Sequence, residues 1–354
     1  MRIRSIVLGA TAGMLAGAIA ITSLTGSSGD AASEAAAPRA TVAPNWGATA
    51  EPSLQGVLES ARDTTVDPKA AHDALLAALE RDPVGTLAVL QRFLADADPR
   101  DPAARTVVGA LVAVGTPEIQ ESLVQLVERR SEDTEFVKLV VPTLGFLPKP
   151  TVATEHAVRA LAADTAPAAT QINAHLTLGV MASRFDGSDA PRGTAIVDEY
   201  AGKLAAATTP EDRKRWLSVL GNAGTPGAAA AIEAQLDAED PMLRSQALEA
   251  MRRVASPDAD ARLVRALDDR DPRVRTSAAW SLSYRQATPE TLRTLLGKLA
   301  AEADEKAAMQ LLEVVWPRRK ADLNAVLATV RAIADGHPVA AVRTRAKTLL
   351  DAKA

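Results

Sequence analysis

The 354-residue chain contains no cysteine, which excludes disulfides, thiolate metal sites and cysteine nucleophiles together. Aromatics are scarce, with four Trp, four Phe and two Tyr, while Ala, Leu and Arg dominate, so composition favours helices over sheets. Histidine is as rare: His72, His156, His175 and His337 fit no H-E-x-x-H pattern. Neither a G-x-S-x-G elbow nor a Walker lysine occurs. Asp268-Asp269, Glu211-Asp212 and Asp304-Glu305 fall in turns or first helical turns, where carboxylates complement helix dipoles. These gaps point away from an enzyme, a bound metal and a cofactor. What remains is an ordinary balance, 47% hydrophobic and 24% charged, with a formal net charge of −4.

Arg2 and Arg4 precede an uncharged stretch, residues 5 to 29, with an apolar middle and Ala18 and Ala20 in an A-x-A arrangement. That pattern reads as a secretory signal cleaved after Ala20. Residues 5 to 25 would also span about 30 Å as a helix, so a retained signal anchor stays open. Either way the arginines stay inside and the remainder is exported, to the periplasm or beyond, with membrane contact only through an uncleaved leader. The missing cysteine rules out a lipobox. Residues 1–25 are thus a leader. Residues 26–66, rich in Gly, Ser, Ala, Thr and Pro around Trp46, lack helical period and read as a flexible tether.

Residues 67–354 are punctuated regularly. Thr-Pro or Ser-Pro recurs at 116, 209, 225, 256 and 288, and Asp-Pro at 67, 82, 98, 101, 240 and 271. A side-chain oxygen followed by Pro suits a helix start, because the oxygen caps free amides and Pro needs none. Thr225, Ser256 and Thr288 are spaced by 31 and 32 residues; Asp240, Asp271, Asp304 and His337 by 31, 33 and 33. Two interleaved series with one period predict a repeated two-helix unit. Leu243, Ala247, Met251 and Val254 follow helical spacing, as do Leu292, Leu295, Leu296 and Leu299, and Leu323, Val326, Leu327 and Val330. Such short helices gain stability only by stacking, so the expected fold is all-α: a right-handed α-solenoid with about seventeen helices between residues 68 and 351.

Asp240-Pro241-Met242-Leu243-Arg244 and Asp271-Pro272-Arg273-Val274-Arg275 align without a gap, and His337-Pro338 with Val342-Arg343 is a looser copy. This unit resembles the HEAT repeat in its short form. The run Leu217 to Pro226, carrying Gly221, Asn222, Gly224, Thr225 and Pro226, together with Arg252-Arg253-Val254, resembles the helical superhelix of vitellogenin and microsomal triglyceride transfer protein. Phe146 to Thr151 is similar to another turn there. That family adds β-sheets which line a lipid cavity. The resemblance therefore implies an arch of helices, and lipid transport only if a separate chain supplies the sheet.

Gly221 to Gly227 could cradle phosphate, but the favoured reading has Gly221 and Asn222 ending a helix in the left-handed region and Thr225 capping the next. Trp216, Trp280 and Trp316 are expected in the core. Charge is uneven along the chain: residues 51–135 carry −8, residues 136–251 −3 and residues 252–354 +6. Arg252, Arg253, Arg285, Arg318, Arg319 and Lys320 fall near helix C-termini and mark a candidate edge for an acidic partner or anionic headgroups. The alternative is that they cap helix ends and pair with carboxylates. No aromatic interleaving suggests nucleic acid. The expected function is an exported, non-enzymatic scaffold for an unknown protein or peptide, the alternative being a lipid-handling component.

Overall fold

The computed structural model describes residues 53–63 and 65–352; the leader and most of the tether, including Trp46, lie outside them. The described residues are helical and contain no β-strand. They divide into two compact units, one ending at Gly193 and one beginning at Thr194.

In the first unit α1 (Leu54–Arg62), α2 (Pro68–Arg81), α3 (Pro83–Asp96) and α4 (Pro102–Val114) are followed by α5 (Pro117–Arg129), α6 (Thr134–Leu144), α7 (Val152–Leu161) and α8 (Ala168–Ala182). α2, α4, α6 and α8 pack in sequence as one layer, and α3, α5 and α7 as another. α1 lies in the stretch expected to be tether, where Ser53 caps the Gly56 amide and Val57 and Leu58 are buried. It packs on α2 and α4, so among the described residues the helical array extends back to residue 54. With one short buried pair, its apolar pattern is too brief to show a period.

Asp67, Asp82 and Asp101 cap α2, α3 and α4 as expected, whereas Asp98 holds a turn through the Arg100 amide. Gly115 ends α4 at φ 57°, and Thr116 caps α5. Gln120 is buried with all its capacity used: its Nε2 donates to Gly115 O and Lys149 O, and its Oε1 accepts from Thr151 N and Thr154 Oγ1. The 146–151 turn is thus sewn to the preceding repeat by one amide.

The second unit begins within α9 (Ala190–Ala206). It continues through α10 (Pro210–Ala223), α11 (Pro226–Glu233), α12 (Pro241–Ala250), α13 (Ala259–Arg265), α14 (Pro272–Ser283), α15 (Pro289–Ala301), α16 (Glu305–Val315), α17 (Leu323–Gly336) and α18 (Ala340–Asp351). Short 3₁₀ turns extend α12, α13 and α16. α10, α12, α14, α16 and α18 stack in order, with α11, α13, α15 and α17 beside them. α2 to α18 are seventeen α-helices among the described residues, matching the expected number. Leu243, Ala247, Met251 and Val254 are all buried, as are Leu292, Leu295, Leu296 and Leu299. Leu323 departs from its stripe: at the first turn of α17 it is 43% exposed, and Val326, Val330 and Ile333 carry the buried face.

Candidate partner-binding edge

Asp240 and Asp271 cap α12 and α14 through the amides of Met242 and Arg273, with Pro241 and Pro272 at the first helical position. Four residues after each cap stands an arginine of the repeat unit. Arg244 Nη1 donates to the carbonyls of Ala238 and Glu239, and Arg275 Nη1 to those of Asp269 and Arg270. The rest of each guanidinium reaches the next repeat: Arg244 forks onto Asp269 at 2.9 and 2.8 Å, and Arg275 onto Glu302 at 2.7 Å twice. Asp269 in turn accepts the Asp271 amide, and Glu302 the Asp304 amide. Burial alone would raise both carboxyls, but the arginine hydrogen bonds and these amides hold them below the ordinary carboxylate range.

His337 belongs to this series in a register other than the expected one. Its Nδ1 accepts from the Val339 amide at 3.2 Å, which is the role of Asp269 and Glu302, not of the cap aspartates. Val339 occupies the cap position, and Arg343, four residues on, donates to His337 O and Pro338 O. Two additional residues before α18 hide this shift in a simple count. The arginine that would face His337 is Ala308, four residues after Asp304. His337 is 3% exposed, and its Nε2 is buried without a partner. Where the arginine is missing, a buried carboxylate would be uncompensated, and a histidine stands there instead.

The opposite ends of the same helices form a second edge. Here three guanidiniums donate to helix ends, Arg252 to its own and Arg285 and Arg318 to those of the preceding repeat, whose last carbonyls lack partners and carry the negative end of the dipole. Arg252 Nη2 donates to Asn222 Oδ1 at 2.8 Å, and its Nη1 to Glu249 O. Arg285 Nη1 donates to Met251 O and Val254 O while its Nε pairs with Asp260. Arg318 donates to Val314 O and, one repeat back, to Leu282 O, Ser283 O and Arg285 O. Of the six cations expected to form an edge, only Arg285 pairs with a carboxylate. Exposed Arg253 lies over the Tyr284 ring at 5.7 Å, Arg319 over Trp316 at 4.9 Å, and Lys320 is exposed. Burial, and then the adjacent Arg253 charge, lower the Arg252 guanidinium from its ordinary value, and burial lowers Arg318. The helix-capping alternative is therefore real for Arg252, Arg285 and Arg318, yet a surplus of positive charge remains.

Trp216, Trp280 and Trp316 are half-buried, a correction to their expected core placement. Cations cover them: Lys203 and Arg215 over Trp216, Arg252 over Trp280 and Arg319 over Trp316. Trp280 and Tyr284 meet edge to face at 4.8 Å. Arg252, Arg253, Asp260, Tyr284, Arg285 and Gln286 line an open depression of about 420 Å³. No group of three or more His, Asp or Glu able to hold a metal occurs among the described residues.

The glycine-rich turn is also corrected. α10 runs on to Ala223, and Gly224 alone takes the left-handed conformation, at φ 60°. Gly221 is inside the helix, where a Cβ would lie 2.7 Å from Ala250 Cα, so it permits close approach of α10 and α12. Asn222 binds Arg252. Thr225 sits at the start of α11 with Pro226, but its hydroxyl finds no hydrogen-bond partner, and Ser256 binds Glu233 instead of capping α13. No phosphate cradle results.

A family model described as HEAT repeats matches residues 201–283 and 230–315. No curated protein matches the chain. Among solved structures, Kap121p is 13% identical, with 84% of this chain and 37% of that one covered at a TM-score of 0.41. An engineered protein is 18% identical, covering 84% and 88% at 0.32. Human deoxyhypusine hydroxylase in complex with glycerol is 15% identical, covering 77% and 95% at 0.29. The chain thus spans little more than a third of Kap121p. Nothing in these comparisons supports the resemblance to vitellogenin and microsomal triglyceride transfer protein; the HEAT-repeat reading stands.

Proposed function

We propose that this chain is an exported, non-enzymatic scaffold whose helical repeats hold a protein or peptide partner. The observation that carries this reading is the contrast between the two ends of one helical layer. At the N-terminal ends Arg244 and Arg275 are spent on Asp269 and Glu302. At the C-terminal ends six cations face one paired carboxylate, Asp260, beside two exposed or half-buried aromatic rings. Repeat stacks bury their cores against neighbours and leave such edges as binding surfaces. A positive edge also speeds encounter with an acidic partner.

Affinity capture of the full chain from its native cells, with chemical cross-linking and mass spectrometry, tests the reading. A defined chain cross-linked to the second unit at constant stoichiometry supports it, and the absence of any such chain overturns it. Protease digestion of intact cells tests export, which fails if the chain is protected on both faces of the envelope.

A further inference from the structure

The cations of the C-terminal edge recur once per repeat, and their spacing has a chemical meaning. Arg252 and Arg253 end the turn after α12, Arg285 follows α14, and Arg318, Arg319 and Lys320 follow α16. Neighbouring packed helices are about 8–10 Å apart. A polyproline II segment has three residues per turn and rises about 3.1 Å per residue, so every third side chain returns to one face after about 9 Å. A β-strand does not match, because its side chains alternate and positions three apart point to opposite faces.

Resting on the scaffold reading above, we infer that this edge binds an extended, polyproline-II-like peptide bearing Asp or Glu at every third position, one carboxylate per repeat. The depression lined by Arg252, Arg253 and Tyr284 takes one acidic side chain; its one carboxylate, Asp260, is already paired with Arg285, and Tyr284 is backed edge to face by Trp280. Arg253 offers the most: no hydrogen bond occupies its donors, and the Tyr284 ring holds it from one side. The recess argues against a flat anionic bilayer, which would meet exposed Arg253 and Lys320 but not half-buried Arg252 and Arg285. Desolvation of Arg252 adds to the pull on an incoming carboxylate.

Fluorescence anisotropy with two labelled peptides of one composition tests this: four Glu-Pro-Pro triplets, and four glutamates followed by eight prolines. The full chain is expected to bind the triplet peptide at least ten-fold tighter. Arg253→Glu with Lys320→Glu is expected to lose at least ten-fold while leaving the thermal melt by circular dichroism unchanged. Tyr284→Ser should weaken binding without altering net charge. Equal affinity for the two peptides, no binding of either, or undiminished binding by the charge-reversed variant overturns the inference. So does retention of vesicles of one-third phosphatidylglycerol in phosphatidylcholine, or of inorganic phosphate, in place of the triplet peptide. A partner captured equally by wild type and by the charge-reversed chain overturns it too, and leaves the scaffold reading standing.

Discussion

Arg275 and Glu302 lie 27 residues apart in sequence and meet as a forked pair, both bonds 2.7 Å long, in a half-closed seam between α14 and α16. The Glu302 side chain is 7% exposed and that of Arg275 19%. Two parallel hydrogen bonds to a charged partner are strong, and removing one member strands the other. Arg275→Met or Glu302→Leu alone should therefore destabilise the second unit by about 2–4 kcal/mol. Arg275→Met with Glu302→Leu should recover most of the loss. Denaturant titration of the four members of the cycle checks this, and equal single and double losses would contradict it.

Acid should loosen the same seam. Asp269 and Glu302 have folded-state pKa values lowered from 3.8 and 4.5, so their stabilisation is complete above the unfolded values and is lost as pH falls through the folded ones. Stability is expected to be level from pH 7 to about 5 and to decline below about 4. Asp269→Asn with Glu302→Gln should be less stable at pH 7 and show a shallower decline. Melts across pH 2.5–7 compare the two chains, and parallel curves would argue against the assignment.

Two glycines inside helices should respond oppositely to alanine. At Gly221 a new Cβ would fall 2.7 Å from Ala250 Cα and 2.8 Å from its carbonyl oxygen, so backbone must shift. At Gly297 nothing lies within 4 Å. Gly297→Ala should stabilise by about 1 kcal/mol through helix propensity alone. Gly221→Ala should destabilise by about 1–3 kcal/mol in spite of that propensity. Chemical denaturation of both variants decides, and a gain at Gly221 would remove the close approach from the account.

Thr225 and Thr288 look alike in sequence, each followed by Pro. The Thr288 hydroxyl accepts from the Thr291 amide at 3.1 Å, while that of Thr225 is buried without a partner. Thr288→Val should cost about 1 kcal/mol as a lost cap. Thr225→Val should be neutral or stabilising, since it removes an orphaned hydroxyl. Equal losses at both positions would contradict this distinction.

Much of the fold was legible in the sequence because its signals are local. An Asp-Pro pair fixes a helix start within four residues, and Asp240 and Asp271 act where they stand. The apolar stripe of Leu243 to Val254 needed only helical spacing. The edge was legible in part. Its six cations could be placed near helix ends, but three of the four carbonyls that engage Arg318 lie 33 to 36 residues back, beyond any local pattern. His337 was read two positions out of register, because residues added before α18 break the count while Arg343 keeps its carbonyl contacts. The tryptophans were misplaced for a different reason: an indole covered by a guanidinium gains as much from a half-open site as from a closed one.

The seam of forked pairs stops at Ala308, and its consequence lies in how the protein breathes. α12 to α16 are fastened by two charged clasps, while α18 is joined to α16 by apolar packing and the exposed Arg345–Glu313 pair. In a stack whose neighbours stabilise one another, a contact without such a clasp opens before those that have one. Amide hydrogens of α17 and α18 should accordingly exchange with solvent as a group, well before those of α14, making the unclasped contact between α16 and α18 the place where the second unit yields.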